Sequence, residues 1–198
     1  MDEAFWRGVL SHPLPPKKQS SFVVEHERRI MKNQKTGLLV SLAVLVAMEV
    51  VLNRFLSINA WNIKIGFAFV PVAIGAMLYG PIAGGIVGAL GDFTGAILFP
   101  IGPYFPGFTL TSFLMGFVLG FFIHKKQDLP RIAGAVCINQ LILGFLLNSF
   151  WISILYGSPY LPLLATRIIQ CAILIPVQIT VIKLLDPVIH RIGKVIEA

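Results

Sequence analysis

Apolar residues fall into six segments, separated by short stretches that are polar or contain Gly and Pro. A helix needs about 20 apolar residues to cross roughly 30 Å of hydrocarbon. The pattern therefore predicts six membrane-spanning helices, at about residues 36–56, 66–79, 82–99, 109–123, 132–156 and 161–185. The second segment is short and contains Pro71, and Gly80-Pro81 should end it in a tight turn.

Composition agrees with this pattern, since 56% of the residues are hydrophobic, only 13% are charged, and mean hydropathy is +0.82. These values indicate an all-α integral membrane protein. The net charge of +7 could suggest nucleic-acid binding, but the basic residues sit mainly at segment ends, where they orient membrane helices. Cys137 and Cys171 are isolated in apolar runs, which favours buried filler over metal or redox chemistry.

The distribution of basic residues predicts the orientation of the helices. Only Arg54 and Lys64 flank one side of the predicted spans. The other side carries many more, which by the positive-inside rule makes it cytoplasmic and places both termini there. The loops 57–64, 100–108 and 157–161 should then face outside. The residues on the basic side are Arg28, Arg29, Lys32, Lys35, Lys125, Lys126, Arg131, Lys183, Arg191 and Lys194.

Residues 1–30 differ from the rest of the chain because they mix charges with a Pro-rich patch and have no long apolar core. We expect a disordered cytoplasmic tail there, followed by one six-helix membrane domain over residues 31–198. Met31 is a second candidate start, which N-terminal sequencing of the native protein would decide.

One carboxylate, Asp92, lies within about thirty apolar and small residues. A charge at such depth costs a few kcal/mol in lipid, so it should face a partner, a cavity or a ligand. Counting about 1.5 Å per residue places Glu49, Arg167 and Asn148 in the same layer, roughly 10 Å below the outer surface. This layer indicates a ligand pocket, although coincidence or an ion pair between Arg167 and a carboxylate would explain it too.

The segment PIGPYFPGF, residues 100–108, should be stiff because its prolines fix φ, and it is rich in aromatic rings. Such a loop is suited to cover a pocket. Rings on the outer side could stack on a flat heterocycle, although each could equally belong to an interfacial belt. A carboxylate below them can accept two hydrogen bonds from an aminopyrimidine edge, and Arg54 and Lys64 suit carboxylates trailing outward. The outer rings are Trp61, Tyr104, Phe105, Phe108, Tyr156 and Tyr160.

Three sequence features resemble the substrate-binding (S) component of energy-coupling factor (ECF) vitamin transporters, in particular the folate branch. They are KIGFAFVPVAIGAMLYGP, GGIVGALGDFTGAILFPIGPYFPGFTL and the pair Ala43-x-x-x-Ala47. The resemblance implies a six-helix S-component fold in a bacterial cell membrane, with uptake of folate or its reduced forms. It also implies assembly with a transmembrane coupling protein and two ATPases, and docking of Ala43 and Ala47 on the coupling protein. Spacing alone favours ordinary helix packing for that pair.

With that ligand, Asp92 is expected to accept hydrogen bonds from the pterin amino group and ring N–H. Arg54, Lys64 or Arg167 should engage the pterin oxygen or the glutamate carboxylates. The rings expected to sandwich the ligand are Trp61, Phe99, Tyr104 and Phe105, and the further hydrogen-bonding residues are Thr94, Asn148 and Tyr156.

The sequence contains no G-x-x-x-x-G-K-[ST] phosphate loop and no Ser-His-Asp constellation, so we expect neither an enzyme nor a cofactor, and the energy should come from a partner. Two alternatives stay open. One is the same fold with riboflavin or thiamin as ligand. The other is a membrane enzyme that uses Asp92 and Glu49 as catalytic carboxylates.

Overall fold

The computed structural model describes residues 36–60 and 63–197, with the side chains of 58–65, 166, 190 and 192–197 outside the description. Contacts divide the chain into two units, residues 1–41 and 42–198, and the first contributes only the beginning of the first helix to the described part. Five helices are long and apolar enough to span a membrane, and a sixth is shorter. The predicted six helices are therefore confirmed: α1 Thr36–Arg54, α2 Phe69–Tyr79, α3 Pro81–Leu98, α4 Pro106–Ile123, α5 Leu129–Tyr156 and α6 Tyr160–Glu197.

A small antiparallel sheet joins α1 to α2, where the sequence predicted only a loop and the start of a span. Strand β1, Ser57–Ala60, pairs with β2, Ile63–Gly66, with Ser57 opposite Gly66. The residues Ile63, Lys64 and Ile65 alternate in polarity, a pattern that is typical of a short strand. The hairpin shortens α2 to eleven residues.

Helix α5 is not α-helical throughout, because its middle third, Ile138–Leu147, is a π-helix. The i→i+5 hydrogen bonding widens each turn, so residues four or five apart lie on one face. Helix α6 continues past the predicted end to Glu197, with Pro176 and Pro187 inside it.

Glycines bring α3 and α4 into contact. A Cβ on Gly116 would collide with the carbonyl oxygen of Gly84, and a Cβ on Gly84 would lie 2.7 Å from the carbonyl oxygen of Gly116. Small residues of this kind let membrane helices approach closely. The preceding turn depends on Gly80, whose φ of 91° lies in the left-handed region.

The apolar core lies towards the end of the bundle where α2 and α4 finish. Ile123, Ile132 and Ile182 are completely buried there. His124, which follows α4, contacts the carbonyl oxygen of Met77 through Nδ1 at 2.9 Å. The outer surface is apolar as well, with Phe121 70% exposed, as expected for a multi-pass membrane protein.

Candidate ligand site

A cavity of about 420 Å³ occupies the other end of the bundle. Every helix contributes to its wall, and residues 101–105 of the loop between α3 and α4 cover part of it. We call residues 99–105 the covering loop. Cavities of about 300–1,000 Å³ with few polar groups are typical of small-molecule sites.

Most of the residues predicted to bind a ligand line this one cavity. They come from four helices and from the covering loop, so distant parts of the chain converge on this cavity. Glu49 belongs to the same wall. The predicted residues that line it are Arg54, Asp92, Tyr104, Phe105, Asn148, Tyr156 and Arg167.

Two predicted residues, Thr94 and Phe99, do not line the cavity. On α3 the lining positions Gly88, Asp92 and Ala96 are four apart, so Thr94 points to a different side of the helix. Phe99 instead packs edge-on against Phe55, with ring centroids 5.1 Å apart.

For two further predicted residues, the structure does not describe whether the side chain lines the cavity. Trp61 lies outside the described residues, and Lys64 belongs to β2 but its side chain is outside the description.

The Asp92 carboxylate is held by hydroxyl groups. Thr109 in the first turn of α4 donates to its Oδ2 at 2.9 Å, and the Tyr104 hydroxyl lies 3.3 Å from the Thr109 oxygen. Within the described part of the chain, no Lys or Arg forms an ion pair with Asp92. The carboxylate therefore keeps acceptor capacity on the cavity side.

Helix α1 supplies a polar wall through Glu49, Asn53 and Arg54. Asn53 donates from Nδ2 to Glu49 Oε1 at 2.7 Å, and both residues are buried. Arg54 lies across α3 at Gly95, where a Cβ would come within 2.7 Å of its Nε. The absence of a side chain at Gly95 makes room for this guanidinium.

Helices α5 and α6 supply amide groups that residue-by-residue prediction did not assign to the site. Asn139 and Gln140 are 5% and 7% exposed and line the cavity, and Asn139 donates to the Met115 carbonyl at 3.0 Å. Arg167 donates to the Gly144 carbonyl at 2.8 Å, which bonds α6 to the π-helical segment. In the sequence, Asn139 and Gln140 are recognisable as amide side chains inside an otherwise apolar span.

Several buried polar atoms of the wall have no hydrogen-bond partner among the described residues. They belong to Asn53 (Oδ1), Arg54 (Nε), Asn139 (Oδ1) and Asn148 (Oδ1). Buried polar groups are almost always hydrogen-bonded, and an unsatisfied one costs about 1–3 kcal/mol. A ligand that offers both donors and acceptors would satisfy these atoms.

Aromatic rings close the site at the covering loop. Phe105 lines the cavity and packs against Trp151 at 5.4 Å between centroids, while the Trp151 indole donates to the Thr111 hydroxyl at 3.1 Å. Tyr104 packs edge-on against Phe93 at 5.8 Å. The arrangement of rings above a carboxylate and amides suits a flat, hydrogen-bonding heterocycle.

Ala43 and Ala47, four apart on α1, are both exposed. Val44 and Val51 extend the same exposed surface, being 58% and 48% exposed. We call these four residues the α1 face.

Comparison with known proteins identifies relatives over most of the chain. The "Folate transporter FolT" of Clostridium novyi (strain NT) is 40% identical over 150 residues, covering 75% of this chain and 87% of that protein. The protein of the same name from Leuconostoc mesenteroides subsp. mesenteroides is 32% identical over 147 residues, covering 71% and 79%. A solved structure described as FolT bound with folic acid superposes with a TM-score of 0.71 at 33% identity, covering 74% of this chain and 90% of that one.

A family model matches residues 38–185, which include nearly all of α1 and the transmembrane part of α6. Its description is "ECF transporter, substrate-specific component". The six helices, the cavity and this match agree, and the chain belongs to the family of substrate-specific components of ECF transporters.

Proposed function

We propose that this protein binds folate and reduced folates with high affinity from outside the cell and delivers them across the membrane as an ECF transporter S component. The observation that carries the proposal is a polar, aromatic-covered cavity of about 420 Å³ in a fold that superposes on FolT bound with folic acid. The two relatives named as folate transporters support the same ligand.

In the proposed complex the pterin edge meets Asp92, which accepts from the 2-amino group and the ring N–H as a paired acceptor. Tyr104 and Phe105 stack on the rings, with Trp61 as a further candidate. Asn148 and Tyr156 add hydrogen bonds from α5. Neither Thr94 nor Phe99 belongs to this proposal, because neither lines the cavity.

The glutamate carboxylates are proposed to lie nearer the mouth, where Arg54 has a buried Nε without a partner among the described residues. Lys64 is the second candidate cation at the mouth. Arg167 lies deeper and already donates to Gly144, so we assign it to the pterin oxygen.

The protein is proposed to work in the plasma membrane of a bacterium with an ECF transmembrane coupling protein and two ATPase subunits. These partners would hydrolyse ATP, since the sequence of this chain contains no phosphate loop. The exposed Ala43 and Ala47 are the proposed contact with the coupling protein. Both termini would be cytoplasmic, with residues 1–30 as a tail and 31–198 as the membrane domain.

A ligand panel tests the proposal. Purified protein in detergent is titrated with folate, a reduced folate, riboflavin and thiamin while the fluorescence of its tryptophans is recorded. We expect saturable quenching with folate and the reduced folate only, since Trp151 lies behind Phe105 in the cavity wall. Saturation by riboflavin or thiamin, with none by folate, would reassign the ligand.

A further inference from the structure

Thr109 lies behind the cavity wall and joins two residues that line it. Its hydroxyl is 2.9 Å from Asp92 Oδ2 and 3.3 Å from the Tyr104 hydroxyl, whereas Thr109 itself is not part of the lining. Asp92 belongs to α3, Thr109 to α4 and Tyr104 to the covering loop. One side chain thus connects the proposed pterin acceptor to the loop above it.

The hydrogen bonds of this connection have a direction. A hydroxyl carries one proton, and Thr109 donates its proton to the carboxylate. In the 3.3 Å contact the donor must therefore be Tyr104, and Thr109 accepts. Bonds arranged in one direction towards a charged acceptor polarise and strengthen one another.

Among the described residues, the backbone of the covering loop is hydrogen-bonded at its two ends, from Phe99 N–H to the Gly95 carbonyl and from Phe108 N–H to the Phe105 carbonyl. Pro100 and Pro103 have no N–H, and the loop side chain Tyr104 is 42% exposed with an edge contact to Phe93. Gly102 approaches the hydroxyl of Tyr156 at the end of α5, where a Cβ would lie 3.0 Å away. The hydroxyl chain is thus a specific polar link between this loop and the carboxylate.

We infer that Thr109 is a positioning residue that couples capture of the ligand at Asp92 to closure of the covering loop. This inference rests on the proposed function. Thr109 occupies one lone pair of Asp92 Oδ2 and so leaves Oδ1 and the second lone pair of Oδ2 for the two ligand N–H groups, while the same hydroxyl holds Tyr104 over the cavity. Removal of the hydroxyl should loosen the loop and weaken ligand retention together.

The first experiment uses the full-length protein without ligand and measures hydrogen–deuterium exchange of the loop amides at 101, 102, 104 and 105. Thr109→Val should raise their exchange rate about tenfold, as expected for loss of a hydrogen bond to a charged group. Thr109→Ser, which keeps the hydroxyl, should exchange like the parent. Thr180→Val is the matched control, because it removes a hydroxyl bonded to the Pro176 carbonyl on an exposed part of α6.

The second experiment measures folate dissociation by stopped-flow fluorescence. Thr109→Val should raise the dissociation rate about tenfold and Tyr104→Phe about threefold. Because Val cannot accept from Tyr104, adding Tyr104→Phe to Thr109→Val should change the rate no further.

Unchanged loop exchange in Thr109→Val would overturn the inference, and so would additive effects of the two substitutions on dissociation. A parent protein that does not bind folate would contradict the proposed function, while the exchange experiment would still decide whether Thr109 holds the loop.

Discussion

Arg54 reaches the cavity because Gly95, on the neighbouring helix, has no side chain. The same relation holds one turn away, where Gly91 makes room for the carboxylate of Glu49. These glycines are the first and last residues of the motif GDFTG, whose acidic residue Asp92 also lines the cavity. At the scale of single residues, the site thus depends on glycines that leave room for polar side chains as well as on those side chains.

Gly95→Ala should weaken folate binding about tenfold without removing any polar group. A Cβ at this position would lie 2.7 Å from Arg54 Nε, so the guanidinium must shift from its proposed place near the ligand carboxylates. Isothermal titration calorimetry measures the change. Gly134→Ala serves as control, since its Cβ would meet only Phe122, at an ordinary 3.8 Å. Equal affinities for the two variants would contradict this role for Gly95.

The cost of burying a charge identified one position, Asp92, that lines the cavity, while its role in binding stays a prediction. Asp92 stands out in the sequence because a carboxylate in an apolar span is costly unless it faces a partner, a cavity or a ligand. Thr94, expected as a further hydrogen-bonding residue, lies two positions after Asp92 on α3, and two residues along a helix turn the side chain by about 200°. The spacing of Gly88, Asp92 and Ala96, four residues apart, marks the side of α3 that faces the cavity.

At the scale of elements, α3 and α4 pack closely through glycines and carry Asp92 and the threonine that hydrogen-bonds to it. Asp92 on α3 and Thr109 on α4 are held in register by the glycine contact between Gly84 and Gly116. The existence of these helices follows from apolar length and from prolines at their first turns.

Gly116→Ala should destabilise the ligand-free protein by about 2 kcal/mol, because the added methyl group meets backbone of α3 and the helices must separate. Differential scanning fluorimetry should show a melting temperature lowered by several degrees, with Gly134→Ala again close to the parent. An unchanged melting temperature would mean that the helices adjust without cost.

The hairpin and the π-helix escaped prediction for physical reasons. Strands β1 and β2 are four residues each, too short for a strong alternating pattern, and they are stabilised by pairing with each other. A π-helix has no distinct composition, and the bond from Arg167 to Gly144 that accompanies it comes from another helix. Both features depend on tertiary contacts.

The α1 face provides a prediction about assembly. Ala43→Leu with Ala47→Leu should leave folate affinity unchanged, since neither residue lines the cavity, but should reduce copurification with the coupling protein and the ATPases at least tenfold. The exposed Ala172→Leu on α6 is the control. Normal copurification of the double variant would exclude this face as the contact.

At the scale of the whole molecule, the cavity lies at the end of the bundle opposite to a cluster of basic residues. The covering loop and Tyr156 mark one end, whereas Lys125, Lys126 and Lys183 belong to the other. In the proposed orientation, with the basic end in the cytoplasm, the cavity would open outward.

Cysteine labelling in intact cells tests this orientation. In a background with Cys137 and Cys171 replaced by Ser, a membrane-impermeant maleimide should label Gly102→Cys at once. Lys126→Cys should react only after the cells are permeabilised. The reverse pattern would invert the proposed topology.

The most direct measurement is a calorimetric titration of the purified protein with folate, comparing the parent with Asp92→Ala. We predict saturable binding of one folate per chain by the parent and none at micromolar concentrations by Asp92→Ala, with expression retained. Asp128→Ala, which alters an exposed carboxylate beside Arg131, should bind like the parent. Binding of folate by Asp92→Ala with the parent's affinity would contradict the assignment of this carboxylate as the group that holds the ligand.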